Sequence, residues 1–199
     1  AGEVDQRTGM VVNLFDLKRV LLQVLEEFDH KHLNLDLPYF ERQIPTSENI
    51  ARVLWDKLQA QQEIGTLQRI CLYEDEDLSA DLTAEAGLDV ASVTRRYSFT
   101  AVHDGHRGHT WDLFVRVHGR IDLETGMVTD IVALDRLVQE RVLSAFDGRD
   151  LRIVLATPAV SGEYLAKAVW DRIASAIPAG TLQLIKLVQT RDLSYEYAG

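Results

Sequence analysis

The chain has 199 residues, enough for one large domain or two small ones, and its 46% apolar content is that of a packed globular protein rather than a disordered one. A formal net charge of -10, from 31 acidic against 21 basic side chains, speaks against a general binder of the phosphate backbone, so nucleic acid is not an expected partner. One cysteine, Cys71, cannot close an internal disulfide, and the chain has neither a run of roughly 18 apolar residues nor a basic-then-apolar leader, so a cytoplasmic protein with no membrane partner is expected.

In chain order, the opening AGEVDQRTG reads as the last residues of a strand and its turn, which leaves room for residues ahead of Ala1. Leu14, Leu17, Leu21, Val24, Leu25 and Phe28 then recur at helical spacing. After a Pro45-Thr46-Ser47 start suited to a helix N-terminus, Ile50, Val53, Leu54 and Leu58 do so again. The short apolar run LQRICLY, ending at Tyr73, reads as a strand. Further on, Asp104-Gly105 is a hairpin signal, and beyond it Trp111, Leu113, Val115 and Val117 alternate with Asp112, Phe114, Arg116 and His118, the pattern of an antiparallel hairpin with one buried face. Two more helical patterns, the run LQLIKLV and a final strand complete the expected order: strand, strand, helix, helix, strand, strand.

The second half of that order repeats the first. PTSENIARVLWDKL (45–58) aligns with VSGEYLAKAVWDRI (160–173), pairing Glu48 with Glu163, Trp55 with Trp170 and Asp56 with Asp171. The same offset carries GTLQRICLYEDEDLS, from Gly65, onto GTLQLIKLVQTRDLS, from Gly180. Earlier, TGMVVNLFDLKRV from Thr8 matches TGMVTDIVALDRL from Thr125, and FDHKHLN from Phe28 matches FDGRDLR from Phe146; the small changes of offset between these blocks mark changes of loop length. Two tandem units are therefore expected, at 1–85 and 93–199. The piece RRYSFTAVHDGHRGHTWDLFVRVHGRID that leads the second has no counterpart in the first, whose front is either truncated or upstream.

Three of the six histidines, His103, His106 and His109, cluster around the predicted hairpin turn, where imidazoles at facing strand ends can converge on a tetrahedral zinc ion or simply stand in solvent. Asp29 beside His30, at the end of the first helix, offers a proton-relay pair, or equally a helix-end charge pair. Glu74 follows the strand Arg69 to Tyr73 and opens the acidic run Glu74-Asp75-Glu76-Asp77, which is either a solvated turn or a carboxylate placed to accept two hydrogen bonds from an amidine-like ring edge. Thr46 and Ser47 read first as helix caps.

The segments FTAVH (99–103), GHTW (108–111), TGMV (from Thr8) and TGMVTD (125–130), FDHKHLN (28–34), PTSEN (45–49) and the strand-ending Glu74 stand in the order of motifs of the 6-pyruvoyl tetrahydropterin and 6-carboxytetrahydropterin synthase family, which the chain resembles over nearly its whole length. The resemblance implies an α+β fold, the T-fold, in which an antiparallel sheet carries two helices on one face and units assemble into homo-oligomeric barrels. It implies zinc held by His103 and His109, a catalytic pair Asp29 and His30, and a pterin-like substrate bound by Glu74 with Thr46 beside it. The first histidine of the family's H-G-H is Arg107 here, which leaves His106 as the candidate third ligand, and the family's cysteine has no match in the turn between His103 and His109. The second unit has Gly148 for His30, Val160 for Pro45, Tyr164 for Asn49 and Gln189 for Glu74, and the first unit lacks the histidine hairpin, so one composite site from two units is expected. The activity implied is that of a zinc-dependent lyase acting on a pterin; a non-catalytic or repurposed T-fold binder of a pterin- or purine-like ligand is the alternative.

Overall fold

The computed structural model describes residues 1–61, 64–103 and 108–199. Contacts divide the chain into two compact units: Ala1–Tyr73, Ala80–Ala91 and Ile121–Met127 form the first, and Glu74–Ser79, Ser92–Arg120 and Val128–Gly199 the second.

In the first unit Asn13 caps α1 (Leu14–Glu26) by accepting from the Phe15 N–H. A short α2 (Leu33–Asp36) and a 3-10 turn (Pro38–Phe40) lead to α3 (Ser47–Gln59), which Thr46 caps. The apolar stripe of α1 that the sequence spacing anticipates buries Val20 and Val24 against Leu54 and Leu58 of α3, with Ile70 and Leu72 of β1 (Arg69–Tyr73) closing the cluster. β2 (Leu78–Thr83) lies next to β1, and Arg69 makes a two-toothed ion pair with Asp81 across them.

The second unit has four strands in the order β3 (Val90–Val102), β4 (Gly108–Arg120), β5 (Thr181–Thr190) and β6 (Leu193–Tyr197), and the β4–β5 and β5–β6 pairs are antiparallel. Along β4, Trp111, Leu113, Val115 and Val117 are buried, as their alternation requires. The helical stretch α4 (Ile131–Val138) continues through a π turn (Gln139–Leu143) into α5 (Ser144–Phe146), and buries Leu134, Val138, Val142 and Phe146 on that face. α6 (Leu151–Val154) follows, and α7 (Gly162–Ile173) packs on β5 and β6. This is the α+β arrangement expected of a T-fold unit, with its helices on one face of the sheet.

The two copies share devices down to single atoms. Asp5 Oδ1 accepts from the N–H groups of Arg7 and Thr8 and the Thr8 hydroxyl; Asp122 Oδ1 accepts from Glu124, Thr125 and the Thr125 hydroxyl. Gly9 and Gly126, which close these turns, have φ of 70° and 73°. The offset between Thr8/Thr125 and Phe28/Phe146 grows by one residue, and the structure absorbs that residue inside the helix as the π turn, not in a loop as the sequence reading has it.

Candidate functional site

β3 ends one residue before His103 and β4 opens one residue before His109, so the hairpin geometry sets the two imidazoles side by side. Their ring centroids lie 4.9 Å apart with planes inclined at 51°. Trp111, almost wholly buried, presents an edge-on contact to His103 at 5.4 Å, and its indole Nε1 is one of two buried side-chain polar atoms without a hydrogen-bond partner among the described residues. The Gln189 amide nitrogen stands 3.4 Å from His103 Nε2 and donates to it when the ring proton is on Nδ1. Two neutral imidazoles at this spacing suit adjacent positions on one zinc ion, whose nitrogen ligands sit about 2.0–2.1 Å from the metal. The described residues hold no group of three His, Cys, Asp or Glu able to bind a metal, and the third expected ligand, His106, lies outside the described residues together with Asp104, Gly105 and Arg107.

Asp29 and His30 follow α1. His30 has a φ of 54°, a left-handed conformation uncommon for a side-chain-bearing residue, and its counterpart in the repeat is Gly148 at 68°. At this bend the neighbouring side chains do not diverge as they would within a helix: His30 Nε2 is 3.7 Å from Asp29 Oδ2, with the side chains 94% and 70% exposed. The helix end that carries them is tied down. Lys57 Nζ donates to Glu27 Oε2 at 2.6 Å, the Tyr39 hydroxyl donates to the same oxygen at 3.2 Å, and Phe28 stacks on Tyr39. The hydrogen bond from Lys57 is the main reason the Glu27 carboxyl titrates below its ordinary value.

Glu74 is exposed at the start of the β1–β2 connection, its N–H donating to the Leu78 carbonyl at 3.0 Å. Asp75 Oδ1 accepts from the N–H groups of Asp77 and Leu78, and Arg96 reaches Asp77 at 3.4 Å, Glu76 at 3.8 Å and Asp112 at 3.0 Å. Thr46 accepts from the Asn49 N–H at 3.2 Å as a helix cap and donates to the Gly126 carbonyl at 2.6 Å. Glu48 and Asn49 beside it are nearly fully buried, and the Asn49 amide donates to the Ile44 carbonyl at 2.9 Å.

The structure thus brings His103 to His109, and Asp29 to His30. It adds two contacts that the sequence reading did not assign, those of Gln189 and Trp111 with His103. The signal for Trp111 was present, since it shares the inward face of β4 with Leu113; nothing in the sequence signals the Gln189 contact, which depends on the β4–β5 register.

The profile of the family described as 6-pyruvoyl tetrahydropterin synthase matches residues 1–86 and again residues 81–199. The chain is similar to 6-pyruvoyl tetrahydrobiopterin synthase of Pongo abelii, 43% identical over 77 residues, and to that of Homo sapiens, 42% identical over 77 residues. In both cases the match covers 38% of this chain and 53% of the relative, so the chain spans about half the length of the curated relatives it matches. Among solved structures, 6-pyruvoyl tetrahydropterin synthase of Caenorhabditis elegans superposes with a TM-score of 0.51 at 21% identity, over 55% of this chain and 96% of that one, a likeness of fold. Among the described residues no helix is long and apolar enough to cross a membrane.

Proposed function

The chain belongs to the 6-pyruvoyl tetrahydropterin synthase family, whose model matches it twice, and from that premise we propose that it is a zinc-dependent pterin-handling enzyme acting as a lyase. The observation that carries the proposal is the convergence of His103 and His109 at the β3–β4 turn, in a chain whose other motifs stand in family order. His103 and His109 would hold the ion, with His106 the candidate third ligand; when bound, zinc supplies a Lewis acid toward a substrate oxygen. The residues of the chain do the rest. Glu74 accepts the ring-edge hydrogens of the pterin through both carboxylate oxygens, and Thr46 holds the neighbouring helix N-terminus in place. Asp29 orients the His30 imidazole, and His30 moves the proton.

The residues lost from one unit are kept in the other: relay and anchor positions in the first repeat, histidines in the second. That complementarity supports one composite site from two units in a cytoplasmic homo-oligomer. A second reading, a T-fold protein that binds a pterin- or purine-like ligand without turning it over, is favoured by Arg107 in place of a family histidine and by the missing family cysteine. Turnover of dihydroneopterin triphosphate by zinc-loaded protein separates the two. Product release that His30→Ala abolishes supports the enzyme, and zinc and ligand binding without turnover supports the binder.

A further inference from the structure

The histidine pair has neighbours from two further strands of the second unit. Leu113 of β4 is the register partner of Leu187 of β5, and both are fully buried. Alternation along each strand carries Trp111 and Gln189 to that same buried face, at the end of the sheet where β3 hands over to His103. Gln189 is half-buried there, with its amide nitrogen 3.4 Å from His103 Nε2. Trp111 stands edge-on to His103, and Tyr195 of β6 lies beyond it with ring centroids 6.2 Å apart. The Tyr195 ring sits so closely on Gly162, at the start of α7, that no Cβ fits between them. Aromatic rings therefore wall one side of the corner that His103 and Gln189 share, and such shielding strengthens the hold of a polar group on a cation.

The spacing in that corner has a chemical meaning. Around a tetrahedral zinc ion with bonds of about 2.0–2.1 Å to nitrogen or oxygen, neighbouring donor atoms stand ~3.3–3.4 Å apart. The end of the Gln189 amide and His103 Nε2 are separated by that edge length. While Nε2 offers its lone pair, the amide N–H donates to it. Once Nε2 binds a cation that acceptor is taken and the N–H faces positive charge. A half-turn about the terminal torsion, which is broad and two-fold for an amide, then puts the carbonyl oxygen Oε1 in the same place. The repeat also marks this position: Gln189 is the counterpart of Glu74, and the amide stands in the unit that keeps the histidines. A neutral amide oxygen holds zinc less tightly than a carboxylate would, and leaves the ion its full charge toward a substrate oxygen.

We propose that Gln189 is a zinc ligand, its side-chain carbonyl joining His103 and His109 as the third donor in the set that Arg107, standing for a family histidine, leaves short. The third donor is thus an amide from β5 and not His106, and the fourth position stays open. The inference rests on the zinc reading above and assigns a ligand within it.

The test is chelator competition for zinc on the 199-residue chain and its Gln189→Ala, Gln189→Glu, His106→Ala and His103→Ala variants, with the visible spectrum of each loaded with cobalt(II). Affinity is the readout because at saturating zinc Gln189→Ala still loads. Gln189→Ala is expected to weaken zinc binding by more than about 100-fold, beyond the roughly 10–100-fold that a residue merely orienting a ligand contributes, and to shift and weaken the cobalt bands as water replaces the amide. Gln189→Glu, of equal length and carrying a charged oxygen, should bind zinc more tightly than the parent and keep the strong bands, which leaves the proposal falsifiable even if Gln189→Ala does not fold. His106→Ala should match the parent. A smaller loss in Gln189→Ala with unchanged cobalt bands makes Gln189 an orienting neighbour and overturns the proposal. So does a loss in His106→Ala that neither Gln189 variant shares, provided that His103→Ala loses the ion. A parent chain that binds no zinc overturns the zinc reading itself, and this assignment with it.

Discussion

At the scale of single residues, the two T-G-M turns share a backbone and differ in what lies around them. Gly126 points at the α3 cap: a Cβ there would lie 2.4 Å from Asn49 Nδ2 and 3.1 Å from Thr46 Oγ1, whereas one on Gly9 meets nothing within 4 Å. Gly9→Ala is expected to lose about 1 kcal/mol from the left-handed backbone alone. Gly126→Ala should lose roughly 1–3 kcal/mol more through overpacking against Asn49, and equal melting shifts for the two would contradict this. The histidine pair gives a second prediction. His103→Ala and His109→Ala should each remove most bound zinc as measured by metal analysis, and His106→Ala should do so only if it fills the place of Arg107. Full zinc occupancy in the double His103/His109 variant would refute the assignment.

Among elements, α1 depends on its C-terminal tie. The hydrogen bond from Lys57 depresses the Glu27 carboxyl below 4.5; burial works against the Lys57 ammonium, but the bonds to Glu27 and Tyr39 outweigh it and raise Lys57 overall. A depressed carboxylate stabilises the fold above its unfolded value and loses that contribution as pH falls through the folded one. Glu27→Gln should thus cost about 0.5 kcal/mol at pH 7, the scale of a half-exposed pair, and nothing once the pH is well below 4. A difference that persists undiminished in acid would show that the carboxylate charge is not what matters. The elements themselves were legible: periodicity located α1, α3, β1 and β4, and the Pro-Thr-Ser start located a real cap. The π turn was not, because one extra residue in an alignment does not say whether a helix or a loop takes it up. The left-handed φ of His30 was hidden for a different reason, since only the pairing with Gly148 hints at it and histidine carries no turn signature of its own. The acidic run likewise looked uniform in sequence, while in three dimensions Arg96 pairs with Glu76 and Asp77.

For the whole molecule, the repeat read from sequence is carried by two family matches and by paired turns, caps and left-handed residues. Contacts do not follow the repeat everywhere: Glu74–Ser79 group with the second unit and Ile121–Met127 with the first, a consequence of chain tracing that no local motif encodes. β6 pairs with β5 and has no other strand beside it among the described residues, and β1 likewise has only β2. Open edges of this kind are a liability unless paired, so the protein is expected to run as a closed homo-oligomer in light scattering, and a monodisperse monomer would contradict that expectation.

The central claim is that this is a pterin site anchored by the carboxylate kept in the first repeat, and titration of neopterin into zinc-loaded protein, followed by fluorescence quenching, tests it most directly. A carboxylate accepts both ring-edge hydrogens with charge assistance, while an amide offers one acceptor and one mismatched donor. Glu74→Gln should therefore weaken binding by roughly 1.5–3 kcal/mol, and Gln189→Ala, which removes a neighbour of His103, should change it little. Equal losses in the two variants, or no loss in Glu74→Gln at unchanged zinc content, would contradict the account.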